Sequence, residues 1–183
     1  GGTSVGTIKK IKRVAKIIID YKNKNYKVIV VSSAMSGVTN ELIKKSFEIS
    51  DSFSESEHDV LVSSGEQVAC SLIAGRLIHE GYESRSWLSW QIPILTKGKY
   101  KNSRINQINK VNIIKYLKKG GIPIVTGFQG LNDENRITTI GRGGSDASAI
   151  MIAKFFKAER CIIYTDVEGV YTTDPNKLKN AKK

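Results

Sequence analysis

Short β-branched runs that end in glycine- and serine-rich loops are what most narrows the fold of this chain. KVIVVSS (27–33) is continuous and apolar, as strands buried on both faces are. IPIVTGFQG has the same character and a glycine-bearing exit. Between such runs lie segments with a helical period. SVGTIKKIKRVAKIIIDYKN sets Val5, Ile8, Ile11, Val14, Ala15 and Ile18 on one face and reads as a long amphipathic helix. ELIKKSFEI, KVNIIKYLKKGG and GEQVACSLIAGRLIHEG, the last stopping at Gly81, read as helices too. DVLVSS (59–64), YESRSWLSW, RITTI and CIIYTD read as further strands. From Ile92 to Asn109 the pattern is mixed, with a lysine-rich turn at TKGKYKN and a short strand at SRINQI. Such alternation predicts an α/β fold, an open and mainly parallel sheet with helices on both faces.

Sheets of that kind bind ligands beyond the carboxyl ends of their strands. The loops SSAMSG, SSGE, TGFQG, GRGGSD and TDVEG each follow a predicted strand, so they are expected to meet along one rim. GRGGSD (141–146) is the most distinctive of them. Its glycines let another group approach the backbone, Ser145 or Asp146 can cap the helix expected at ASAIMIAKFF, and Arg142 offers a fork for a carboxylate or phosphate. A tight strand-to-helix turn with an ordinary cap accounts for the same residues. Glu66 in SSGEQ reads either as a helix-dipole partner near a helix start or as a negative group facing Arg142. One group of each sign is what an amino acid, with its ammonium and carboxylate, requires.

GGTSVGT lacks the lysine followed by Ser or Thr of a Walker loop, and no GxGxxG follows a strand. A glycine pair at a helix start remains, able to cradle phosphate through its N–H groups. YTDVEGVYTTDP suits a base and ribose, although a hairpin explains it equally. His58 and His79 stand at no catalytic or metal spacing and read as surface residues, while Cys70 and Cys161, far apart and outside any CxxC, read as buried thiols.

The 183 residues suffice for one domain with a real core, and no segment is apolar for long enough to span a bilayer, so a soluble, cytoplasmic protein is expected. The net charge of +12 allows attraction to nucleic acid, anionic lipid or phosphorylated small molecules. The lysine runs at Lys9 to Lys16 and Lys110 to Lys119 alternate with aliphatics at helical spacing, as solvated helix faces do, and Tyr116 is the one aromatic interleaved in them. A basic nucleic-acid-binding module is therefore the weaker alternative. The chain opens on Gly1 rather than methionine and stops at NKLKNAKK, so both ends read as cut.

Taken in order, GGTSVG, VVSSAMSGVTN, LVSSGEQ, SWLSWQIPI, GFQG, GRGGSDASA and IYTDVEGVYTTDP resemble the aspartate kinases of the amino-acid kinase family, from Gly1 to about Lys177. The resemblance implies a three-layer α/β/α kinase domain across 1–183, incomplete at both ends and without regulatory domains. It implies transfer of the γ-phosphoryl group of ATP, with Mg2+, to the side-chain carboxylate of L-aspartate. The product, 4-phospho-L-aspartate, feeds lysine, threonine, methionine and diaminopimelate synthesis. It further implies that Ser33, Thr39, Glu66, Arg142, Gly143, Gly144 and Ser145 surround aspartate, Glu66 on the ammonium and Arg142 on the α-carboxylate. Gly1, Gly2 and Asp146 would stand at the reacting phosphate, and Thr165, Asp166, Tyr171, Thr172, Asp174 and Asn176 at the nucleotide. No side-chain metal cluster, nucleic acid or membrane is implied as a partner, and the intact parent is expected to be a homo-oligomer. Two departures stand out. The family sets a lysine and an aromatic residue ahead of its Gly-Gly pair, where this sequence begins, and commonly has arginine where Asn176 stands. A truncated, noncatalytic paralogue is the alternative those departures suggest.

Overall fold

The computed structural model describes residues 1–141 and 143–165. A 3-10 turn at Gly2–Val5 leads into α1 (Ile8–Asn23), β1 (Val30–Ser32), α2 (Val38–Ile49), α3 (Glu55–His79), β2 (Ser84–Trp87), β3 (Ile94–Lys99) and β4 (Asn102–Ile108). There follow α4 (Val111–Lys118), β5 (Ile122–Thr126), β6 (Gln129–Leu131), β7 (Ile137–Thr139) and α5 (Gly144–Phe156). β1, β5 and β2 form a parallel sheet in that order. A second sheet, ordered β4-β3-β6-β7, is mixed: β3 lies parallel to β6, while β3–β4 and β6–β7 are antiparallel hairpins.

Period-two alternation divides the core between the two faces of the parallel sheet. Val28, Val30, Ile122 and Ile124 pack with Ile11, Ala15 and Ile18 of α1 and with Ile73, Ala74 and Leu77 of α3. Ile29, Val31, Trp87 and Val125 turn the other way, onto Ile113 of α4 and Ile152 of α5. Helices therefore cover both sides, in the three layers expected. Among the described residues no helix is long and apolar enough to cross a membrane.

Four local expectations are corrected. The first helix does not include residues 4–7, because Thr7 caps α1 by accepting from the backbone N–H of Lys10, at 3.2 Å. DVLVSS is no strand: it forms the early part of α3, with Val60 partly exposed and Val62 buried. Its β-branched residues suit a strand locally, but the buried positions Asp59, Val62, Ser63, Glu66, Ala69, Cys70, Ile73 and Leu77 repeat at helical spacing. Residues 161–165 of CIIYTD pair with no strand among the described residues, and Cys161 is exposed rather than buried. Strand propensity without a ladder partner does not make a strand, and this segment faces β1 across a cleft. TKGKYKN is more than a turn, for its first residues complete β3 and its last begin β4. The glycine stops hold: Gly81 and Gly120, both at φ 85°, follow α3 and α4 as left-handed residues.

Adjacent positions of α3 allow a direct check on this packing. Ile73 is fully buried and Leu72 is 37% exposed. Ile73→Ala should cost about 2–5 kcal/mol in urea denaturation, and Leu72→Ala below about 1 kcal/mol.

Candidate functional site

The backbone leaving β1 bends through residues 33–37 before α2 begins, and the space between this bend and the start of α5 is a cavity of about 340 Å³. Gly37, left-handed at φ 87°, turns the chain into α2. Ser33, Ala34 and Met35 form one wall with Thr39, Gly1 and Gly2 beside them, and Gly141 and Gly143–Asp146 form the opposite one. The Gly1-Gly2 segment lies close against the bend, since a Cβ on Gly2 would sit 3.0 Å from the Ala34 carbonyl oxygen. The terminal amine of Gly1 donates to the Tyr164 carbonyl at 2.8 Å.

Glu66 closes the floor. It is not near a helix start, as the sequence suggested, but in the middle of the 25-residue α3, so the helix-dipole reading does not apply. The preceding residue must be small, because a Cβ on Gly65 would meet the Ala34 methyl at 2.8 Å and Val38 Cγ1 at 3.2 Å. That close approach brings the Glu66 carboxylate under the bend. Oε1 accepts a hydrogen bond from the Ala34 N–H at 3.0 Å, while Oε2 is buried with no partner among the described residues. Burial pushes the Glu66 carboxyl up to about 7, with the Ala34 N–H opposing it. One turn on, the Cys70 thiol is pushed well above its ordinary value, by burial first and then by Glu66.

α5 supplies the complementary charge. Its N-cap is Gly143, left-handed at φ 73°, and neither Ser145 nor Asp146 caps it, contrary to expectation. Both lie instead in the first turn and line the cavity. The first-turn N–H groups of an α-helix have no intrahelical acceptor and form a positive end that favours anions. Ser148 fixes the turn from behind, donating to the Gly144 carbonyl at 2.7 Å and accepting from the Phe128 N–H at 3.0 Å.

Of the residues singled out from sequence, Gly1, Gly2, Ser33, Thr39, Glu66, Gly143, Gly144, Ser145 and Asp146 all border this cavity. Thr165 borders a larger adjoining cleft, whose wall shares Gly1, Ser33, Ser145 and Asp146 with the cavity. Arg142, Asp166, Tyr171, Thr172, Asp174 and Asn176 lie outside the described residues. Sequence reasoning missed Ala34, Met35, Phe128 and Gly141 as wall residues. SAMSG and TGFQG did mark those bends, but a backbone donor such as the Ala34 N–H has no residue type by which to recognise it. His58 is also more buried than expected, its side chain 15% exposed and Nδ1 3.6 Å from Asp59 Oδ1.

The arrangement sets an unsatisfied carboxylate oxygen across from an uncapped helix end. It can take a cationic group at one end of a small molecule and an anionic group at the other.

Residues 1–183 match the model of the amino acid kinase family. The aspartokinase of Rickettsia conorii is 49% identical, covering 100% of this chain and 46% of its own length. Aspartokinase 2 of Bacillus subtilis is 46% identical, covering 100% of this chain and 45% of its own. The chain thus spans about half the length of these relatives. Among solved structures, E. coli aspartokinase III in complex with aspartate and ADP superposes with TM-score 0.83 at 26% identity, over 100% of this chain and 52% of that one. The aspartate kinase from Synechocystis gives TM-score 0.79 at 38% identity, over 100% of this chain and 30% of that one.

The state of Glu66 has a consequence for stability. Its folded value of about 7 lies above the ordinary 4.5, so between those pH values the folded chain binds more protons than the unfolded one. Stability then falls as pH rises through that window and levels off above it. Glu66→Gln removes this dependence. Relative to wild type, the variant should gain up to about 3 kcal/mol between pH 4.5 and 7.5, read from urea midpoints.

Proposed function

Because the chain belongs to the amino acid kinase family, we propose that its protein transfers the γ-phosphoryl group of ATP to the side-chain carboxylate of L-aspartate, giving 4-phospho-L-aspartate. The observation that carries this reading is Glu66 Oε2, buried and unpartnered at the floor of a cavity whose opposite wall is the uncapped start of α5. An α-ammonium satisfies that oxygen. Arg142 would then hold the α-carboxylate in a two-bond fork, with Ser33, Thr39 and Ser145 offering hydroxyls and Gly143 and Gly144 leaving room for close approach.

With the amino-acid end so held, the side-chain carboxylate is the nucleophile, and no protein nucleophile is needed. Catalysis is positioning together with neutralisation of charge on the transferring group. The Gly1-Gly2 segment and the start of α5 would lie beside the phosphates. Thr165, Asp166, Tyr171, Thr172, Asp174 and Asn176 would hold the nucleotide. Asp146, exposed and lining both the cavity and the adjoining cleft, offers hard oxygen donors suited to Mg2+ arriving with the nucleotide. When bound, that ion would offset negative charge on the transferring group. Residues 1–183 form part of the kinase domain in this reading.

The pH dependence follows from Glu66. Burial keeps it protonated up to about pH 7, and an ammonium favours the charged form, so binding releases that proton. Affinity for aspartate should therefore fall as pH drops below about 7, by up to about tenfold per unit.

Incubating the full-length protein with Mg·ATP and aspartate, and trapping the acyl phosphate with hydroxylamine, should yield a hydroxamate. Its absence would contradict the proposed reaction. Glu66→Gln should raise the KM for aspartate about 10- to 100-fold, the loss of a hydrogen bond to a charged group, and leave that for ATP within about twofold. Equal rises for both substrates would remove Glu66 from the aspartate end.

A further inference from the structure

Asp59 lies seven residues before Glu66 on α3. Seven residues of α-helix make close to two turns and about 10 Å of rise, so the two carboxylates share a face. Asp59 is fully buried, yet its oxygens are well supplied with donors. Oδ2 accepts from the Thr139 N–H at 2.7 Å and the Lys101 N–H at 2.9 Å. Oδ1 accepts from the Thr139 hydroxyl at 2.8 Å and, more weakly, from the same Lys101 N–H at 3.2 Å. Thr139 ends β7, and Lys101 is the left-handed residue, φ 63°, at the tip of the β3–β4 hairpin. One side chain of α3 thus holds two segments that are far apart in sequence.

Those two segments enclose Gly141. A Cβ there would sit 2.9 Å from Asn102 Oδ1 and 3.6 Å from the Lys101 carbonyl oxygen. Between Thr139 and Gly141, Ile140 is buried and its N–H donates to the Phe128 carbonyl at 2.8 Å. Ser103 ties the hairpin to the same strand, its hydroxyl donating to the Thr139 carbonyl at 2.9 Å. From the Asp59 carboxylate, contacts thus run through Thr139 and Ile140 to Gly141, which borders the cavity opposite Glu66. A buried carboxylate is costly to desolvate and gains little net stability even when paired. Its short, directional, charge-assisted hydrogen bonds do fix geometry.

We propose that Asp59 is a positioning residue: by clamping Thr139 and Lys101 to α3, it sets the separation between Glu66 and the facing cavity wall at Gly141, and so the fit of the bound amino acid. The part that concerns aspartate rests on the function proposed above. The clamp itself does not.

Asp59→Asn keeps the shape but turns an NH2 group towards backbone donors. In the full-length protein, hydrogen exchange at the amides of 101 and 139–146 should quicken about tenfold or more, with α1 unchanged. Calorimetry should show aspartate binding weakened about tenfold and ATP binding altered less than about twofold. Thr139→Val, which removes one donor and keeps the Thr139 N–H, should shift both readouts the same way, about threefold; it decides the matter should the Asn variant fail to fold. Unchanged exchange across 139–146 alongside a lowered melting temperature would reduce Asp59 to a structural residue and overturn the proposal. So would a loosened loop with unaltered aspartate affinity. Should wild type bind no aspartate at all, the proposed function falls, and the exchange comparison alone upholds or rejects the clamp.

Discussion

A carboxylate taken out of water must find donors or give up its charge, and α3 meets that constraint in two different ways on one face. Asp59 is surrounded by N–H and O–H groups from the hairpin tip and the end of β7. Glu66, two turns on, receives one N–H from Ala34 and nothing at its other oxygen. The first arrangement joins distant parts of the chain. The second leaves a need that no atom of the described residues meets, and it does so where a cavity opens. The same helix, through Ile73, Ala74 and Leu77, seals one face of the parallel sheet. Core, clamp and pocket floor are thus successive parts of one buried stripe.

That stripe also explains where the sequence was easy to read and where it was not. Runs such as KVIVVSS and IPIVTG alternate so cleanly between two apolar environments that the layered sheet could be anticipated, and Gly81 and Gly120 marked their helix ends. DVLVSS misled because its helical period is carried partly by Asp59, Ser63 and Glu66. A search for apolar spacing discounts those residues, although each is buried. Polar residues at core spacing were the missed signal, and the partners of Asp59 come from β7 and the hairpin, that of Glu66 from Ala34. CIIYTD misled in the opposite direction, since local propensity cannot report whether a neighbouring strand is there to pair with.

At the candidate site, residue types were legible and roles less so. The small-residue loop SAMSG and the glycines Gly141, Gly143 and Gly144 did converge, with Glu66 between them, although SSGE reaches the rim from a helix and not from a strand end. Ser145 and Asp146 were marked as caps because side-chain oxygens ahead of an apolar run usually are. Gly143 takes that position in a left-handed conformation and leaves the end of α5 open towards the cavity. The contribution of Ala34 is a backbone N–H, and only the fold could place it.

Gly65 gives this site an unusual vulnerability. It touches no ligand, yet the Ala34 methyl and Val38 occupy the volume a side chain there would need. A helix is stiff along its length, so a methyl group added at that point would lever the whole rod away from the bend and carry its neighbour, the acidic floor of the pocket, with it. The tolerance of the site to mutational drift is thus governed by an atom that is absent, at a position where comparing ligand contacts would find nothing to protect.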